Sequence, residues 1–219
     1  MSDAAGLQML IGADLVGAED GSTFDVINPA TEEPFATVAM GGADDVDRAV
    51  AAARRALPPF SATSKNERVA LLERIIRSYE KRLPDLRQAV AEEMGSPVSA
   101  TVQVMGPIDH FKQAIITLRD YEFNRKIGNT FVRREPIGVC GLISPWNWPI
   151  QTPAMKLAYA IAAGCTSVLK PSEYSPLSAI LLAEILHEAG VPKGVVNLVN
   201  GDGLVVGHAI SSHPDVDFV

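Results

Sequence analysis

From Gly138 to Val219 the chain alternates short, largely apolar runs with segments of helical length, and no other feature restricts its fold as much. Gly138 to Ile143, Cys165 to Lys170 and Val195 to Val199 have the length and character of strands. Gln151 to Ala163, Pro176 to Ala189 and Leu204 to Ser211 read as the helices after them, and Val216 to Val219 opens a fourth strand. Strands that are apolar along their length must be covered on both faces, and strand–helix–strand connections produce parallel pairing. The expected fold class is therefore α/β: a βαβαβα half of a doubly wound parallel sheet over residues 138–219.

The first 120 residues are expected to hold short strands and then helices. Thr23 to Ile27 and Ala36 to Val38 alternate like strands. Val46, Val50, Ala53 and Leu57 then fall on one helical face after Asp44 and Asp45. Ser64 and Glu67 have capping-box spacing ahead of Val69, Leu72, Ile76, Tyr79 and Leu83. Pro84 ends or kinks that helix, and a short one from Asp85 to Met94 stops at Gly95. A helix over residues 99–118 carries Val102, Met105, Ile108, Phe111, Ile115 and Leu118, with a bend at Gly106-Pro107. Residues 121–137 hold a hairpin turning at Gly128-Asn129, which either packs on a neighbouring subunit or lies on the surface.

Composition narrows the function. Nineteen Lys and Arg against 26 Asp and Glu leave a formal charge of −7, which argues against a nucleic-acid surface. The start Met1-Ser2-Asp3 has no secretory character, and the apolar stretch Leu157 to Leu169 is too short to span a bilayer. Cys140 and Cys165 sit in strand-like runs and read as buried free thiols, not a disulfide or a metal site. The expected setting is cytoplasmic, with neither membrane nor nucleic acid as partner and no metal.

In a doubly wound sheet, ligands bind beyond the carboxyl ends of the strands, where the strand order reverses. Three loops qualify: Ser144 to Pro149, Pro171 to Pro176 and Asn200 to Gly203. Lys170 and Glu173 follow the second strand, where such folds place the acid that accepts ribose hydroxyls; a carboxylate there disfavours a 2′-phosphate. The alternative is that Ser172 and Glu173 only cap the next helix. Gly201, Gly203 and Gly207 read G-x-G-x-x-x-G after the third strand, whereas the phosphate fingerprint belongs to the first turn, which here has no glycine. Those glycines either admit a close approach near an adenine or make a turn. Asn147, stiffened by Pro145 and Pro149, either donates to an oxyanion or serves the turn.

Taken together these residues resemble the aldehyde dehydrogenase superfamily. Pro145-Trp146-Asn147-Trp148-Pro149 is similar to its P-W-N-x-P loop, and Ala163 to Glu173 to its A-G-N/C-x-x-V-L-K-P-S/A-E run. Gly190 to Asn197 resembles G-x-P-x-G-V-x-N, His213 to Asp217 the stretch before F-T-G-S, and Asn28-Pro29-Ala30-Thr31 and Asp45 to Val50 also fit. The resemblance implies NAD-dependent oxidation of an aldehyde to a carboxylic acid, with Asn147 as oxyanion donor and Lys156 in a proton network, or else simply solvated. It implies a cofactor site from Ile143, Ser144, Pro145, Trp146, Lys170, Ser172, Glu173, Gly203 and Gly207, and a hairpin used in a homo-oligomer. The F-T-G-S turn, the E-L-G-G base and the nucleophilic cysteine of that family are not in these 219 residues. The expectation is thus an amino-terminal portion inactive alone; the alternative is a non-catalytic or fragmentary partner that binds NAD or assembles with a longer chain.

Overall fold

The computed structural model describes residues 8–99 and 102–219; Met1-Ser2-Asp3, and Ala100 and Thr101 of the expected 99–118 helix, lie outside the described residues. Strands β1 (Met9–Ile11) and β2 (Asp14–Val16) lead into the pair β3 (Thr23–Asn28) and β4 (Glu33–Ala39). Four helices follow: α1 (Ala43–Ser61), α2 (Lys65–Lys81), α3 (Leu83–Met94) and α4 (Val102–Asp120). The hairpin β5 (Asn124–Ile127) and β6 (Thr130–Arg133) precedes β7 (Val139–Ile143), α5 (Gln151–Ala163), β8 (Thr166–Lys170), α6 (Leu177–Glu188) and β9 (Val196–Leu198). A π-helical turn, Gly203–Gly207, runs into α7 (His208–Ser212).

The alternation read from the last third produces the expected parallel pairs, β7 with β8 and β8 with β9. Beyond β7, the Asp217 N–H donates to the Val139 carbonyl at 2.9 Å and the Gly141 N–H to the Phe218 carbonyl at 2.8 Å. Residue 140 thus has β8 on one side and residue 218, also parallel, on the other. The strand order reverses at β7, and its carboxyl end is the switch point.

The amino terminus adds strands that this reading did not cover, and the whole sheet is mixed, in the order β2-β1-β9-β8-β7, because β1 lies antiparallel on the outer edge of β9. An open edge on β9 would leave unpaired backbone groups, and β1 covers it. Asn197 secures the join: its Oδ1 accepts from the Gly12 N–H at 2.8 Å, while its Nδ2 donates to the carbonyls of Ser167 and Gly194. The partners are far apart in sequence, so no local pattern announces the pairing.

Both faces of the sheet are covered. Val46, Ala49, Val50 and Ala53 of α1 pack with Val139, Val168 and Val199, joined by Val206 and Ile210. The opposite core takes Leu72 from α2, Phe111 from α4, Leu157 and Ile161 from α5 and Leu182 from α6. The capping box of α2 forms, Ser64 Oγ accepting from the Glu67 N–H at 3.2 Å and Glu67 Oε2 from the Ser64 N–H at 2.7 Å. Helix α3 ends on Gly95 in the left-handed region, at φ 65°. On α4 the expected stripe holds only in part. Val102 and Met105 are exposed, and Val104 and Pro107 are buried with Ile108, Phe111, Ile115 and Leu118. Steps of three walk off a face whose period is 3.6, so the stripe drifts to solvent toward its start. The hairpin turns at Gly128-Asn129, with φ 60° at Gly128. No described helix is long and apolar enough to cross a membrane.

Gly41 gives the amino-terminal layer a stringent test. Its N–H donates to the Asn200 carbonyl at 3.0 Å, and an added Cβ would lie 2.6 Å from that same oxygen. Gly41→Ala is expected to destabilise by about 1–3 kcal/mol through overpacking. Gly17→Ala, with nothing within 4 Å of the new methyl, should stay within about 0.5 kcal/mol. Urea denaturation of both variants measures the difference.

Candidate functional site

The carboxyl ends of β7 and β8 are locked side by side. Ile143 pairs with Lys170, and the Ser144 N–H donates to the Lys170 carbonyl at 3.0 Å. Lys170 is 2% exposed; its Nζ donates to the Pro171 carbonyl at 2.7 Å and lies 3.2 Å from Glu173 Oε2. Burial pulls the Lys170 pKa below its ordinary value, opposed by the Glu173 carboxylate and, more weakly, by Asp202. The side chain of Glu173 stays 30% exposed, so this buried ammonium presents an accessible carboxylate at the strand end. Behind it runs Gly207, where an added Cβ would meet Lys170 Cδ at 3.8 Å.

Helix capping by Ser172 and Glu173 does not occur. Ser172 Oγ accepts from the Tyr174 N–H at 3.3 Å, a local turn, and Glu173 is engaged with Lys170. The start of α6 is instead held by Glu93, at the end of α3. Its Oε2 accepts from the Leu177 N–H at 2.6 Å, and both carboxylate oxygens from the Ser178 N–H at 3.3 Å. Glu93 is 4% exposed, and burial pushes its carboxyl up to about 7 against the lowering by Ser178 and Leu177. The sequence reading missed this residue. The available signal was its place on the buried stripe Leu86, Ala89, Val90, Glu93, since a carboxylate on an apolar face calls for buried donors.

The loop after β7 joins the same edge. Ser175 Oγ donates to the Trp146 carbonyl at 3.0 Å, tying the loop after β7 to the loop after β8. Trp146 is 56% exposed, and Pro145 and Asn147 are also exposed in this loop. Lys156 is half-buried on α5, and Gly203 opens the π-helical turn with space around it. Hydrogen bonds and pairing thus unite Ile143, Ser144, Lys170 and Glu173, Trp146 is tied to Ser175 of the neighbouring loop, and Gly207 lies beside the Lys170 side chain. No such contact joins Asn147, Lys156 or Gly203 to them among the described residues. Cys140 and Cys165 are both free and buried; Cys165 lies just before β8, at the amino edge, away from these loops.

The aldehyde dehydrogenase family model matches residues 16–219. The chain belongs to the aldehyde dehydrogenase family. Among its relatives in this family, a 3-succinoylsemialdehyde-pyridine dehydrogenase of a Pseudomonas species is 52% identical over 198 residues, covering 89% of this chain and 42% of the relative. A putative aldehyde dehydrogenase of Staphylococcus saprophyticus is 48% identical over 209 residues, covering 94% and 44%. Aldehyde dehydrogenase C of Pseudomonas syringae, solved as a mutant with NAD+ and octanal, superimposes with a TM-score of 0.95 at 47% identity, covering 97% of this chain and 44% of that one. The NAD+ complex of a Bacillus cereus aldehyde dehydrogenase gives 0.93 at 34% identity, covering 97% and 46%. The chain thus spans less than half the length of these relatives.

Glu93 gives this edge a pH signature. Its folded pKa lies above the unfolded value, so its contribution to stability is full below the ordinary 4.5 and is lost as pH rises through about 7. That difference is worth about 3 kcal/mol. Glu93→Gln should remove this part of the pH dependence. Equilibrium denaturation of the two proteins at pH 5 and pH 8 measures it.

Proposed function

We propose that this span forms the adenosine side of an NAD site and the oxyanion donor of an aldehyde dehydrogenase that oxidises an aldehyde to a carboxylic acid. The observation that carries the reading is the buried Lys170 ammonium paired with the accessible Glu173 carboxylate at the switch point. One donor and one acceptor 3.2 Å apart suit the adjacent hydroxyls of a ribose. The same carboxylate opposes a 2′-phosphate, which favours NAD over NADP. Gly207 leaves room beside Lys170 for close approach, and exposed Trp146, Tyr174 and Leu204 supply apolar surface at the same edge for the rest of a dinucleotide. Two relatives of known structure carry NAD+, one of them with octanal.

When bound, NAD supplies the hydride acceptor. In this reading Ile143, Ser144, Pro145 and Trp146 border its groove, Lys170, Ser172 and Glu173 hold the ribose end, and Gly203 and Gly207 admit the adenine. Asn147, on a loop braced by two prolines, donates its amide N–H to the oxygen that gains charge as a nucleophile adds to the aldehyde carbon. Lys156, one turn into α5, belongs to the proton network. The nucleophilic thiol and the general base come from sequence outside these 219 residues, because Cys140 is buried within β7 and Cys165 is buried at the amino edge of β8, away from these loops. The 219-residue chain accordingly binds cofactor without turning over substrate. The exposed hairpin, with Phe131 at 67% and Ile127 at 52%, favours assembly with a second subunit, the role it has in both the catalytic and the non-catalytic reading.

Titration with NAD and NADP tests the cofactor assignment. The wild-type chain should prefer NAD, and Glu173→Gln should narrow that preference by about tenfold, the worth of one charge-assisted contact. Aldehyde turnover by the pure 219-residue chain would refute the division of labour. In an assembly that does turn over, Asn147→Ala should lower kcat by about two to three decades with NAD affinity intact.

A further inference from the structure

We propose that Glu93, which lies on none of the three loops at the sheet edge, is a positioning residue for the cofactor. Its carboxylate fixes the start of α6, and with it the segment 171–176 that sets Glu173 against the groove. The inference rests on the NAD reading above and names a residue through which that site is held in shape.

The first turn of any helix has free backbone N–H groups, and the economical solution is a Ser, Asp or Asn just before it. Here that position is Pro176, which has no side-chain acceptor. The two serines and the acid of the loop are committed elsewhere, Ser172 to the Tyr174 N–H, Glu173 to Lys170 and Ser175 to the Trp146 carbonyl, and Tyr174 is exposed. Glu93 reaches across from α3 and takes the N–H groups of Leu177 and Ser178. The loop after β8 is consequently tied at two points. Glu93 holds its far end to the helical layer, and Ser175 holds its middle to the loop after β7.

The arrangement is costly for a cap alone. Glu93 is 4% exposed and has no basic side chain paired with it among the described residues. A buried carboxylate held only by backbone N–H groups, with no cation beside it, costs stability, and such costs persist where geometry matters to function. Glu93 also lines a groove of about 470 Å³ with Ile27, Pro29, Met94, Trp146 and Tyr174. Losing its bonds would free the α6 start and, through Ser175, the backbone at Trp146. A binding group held by a loosened shell loses affinity before the fold is lost.

The test uses the 219-residue chain, with NAD and AMP binding followed by calorimetry and stability by urea denaturation. Glu93→Ala should raise both dissociation constants by about tenfold, the scale of one lost hydrogen bond. Glu93→Gln keeps one acceptor oxygen, and Ser175→Ala cuts the second tether; each should raise them by about threefold, and either decides the matter if the alanine variant does not fold. Val90→Ala, on the buried face of the same helix, should lower stability without changing affinity. Wild-type affinity in the Glu93 variants, or an equal loss in Val90→Ala, overturns the positioning role and leaves the cofactor reading standing. A wild-type chain that binds neither NAD nor AMP overturns both.

Discussion

Burial of the central sheet on both faces is the constraint from which the rest follows. With α1 and α7 against one side and α2, α4, α5 and α6 against the other, a polar side chain within the sheet, such as Asn197, is spent on holding the fold, and groups open to a ligand lie at the strand ends. Register then decides which polar groups meet. The pairing of Ile143 with Lys170 sets the last residues of two adjacent strands level, so the loops beyond them open onto one edge. Residues 217 and 218 on the far side of β7 make that edge the place where the strand order turns, and parallel sheets leave their crevice there.

At this edge the structure tolerates two buried charges. The Lys170 ammonium has a carbonyl and a carboxylate for company, and the part of Glu173 that reaches solvent completes a donor–acceptor pair at the groove. The Glu93 carboxylate has only N–H donors, and burial shifts it toward protonation at neutral pH. Neither is what a design for stability alone would choose, since apolar replacements of similar volume often stabilise. Lys170 bonds the start of the loop after β8, and Glu93 bonds the first turn of the helix that follows it. The cost is concentrated at the carboxyl edge of β8, beside the segment that carries Glu173.

Much of the fold was legible because its signals are local. Capping at Ser64 and Glu67, the left-handed stop at Gly95, the two-residue turn at Gly128-Asn129 and the three strand–helix units each depend on residues close in sequence. The failures are those of local reading. Val102 and Met105 looked like core because they continue a stripe by steps of three, but only tertiary contact decides how far along α4 the covered face extends. Met9–Ile11 was not singled out as a strand, because its partner, β9, lies at the other end of the chain. Lys170 and Glu173 were singled out by their position after a strand, and their contact with each other came only with the structure. Ser172 and Glu173 had an equally good local reading as caps, which the structure replaces with a side chain from another helix.

By itself the sequence determined most of the strands and helices and the order in which they follow one another, and through its motifs it determined the family. Periodicity, turn chemistry and caps act within a few residues, so they are written where they are used. Tertiary structure decided that the sheet is mixed, which face of α4 is covered, and that Glu93 on α3 holds the loop carrying Glu173. Those outcomes depend on unpaired backbone groups finding partners many residues away. A chain records the donor and the acceptor separately, and only folding brings them together.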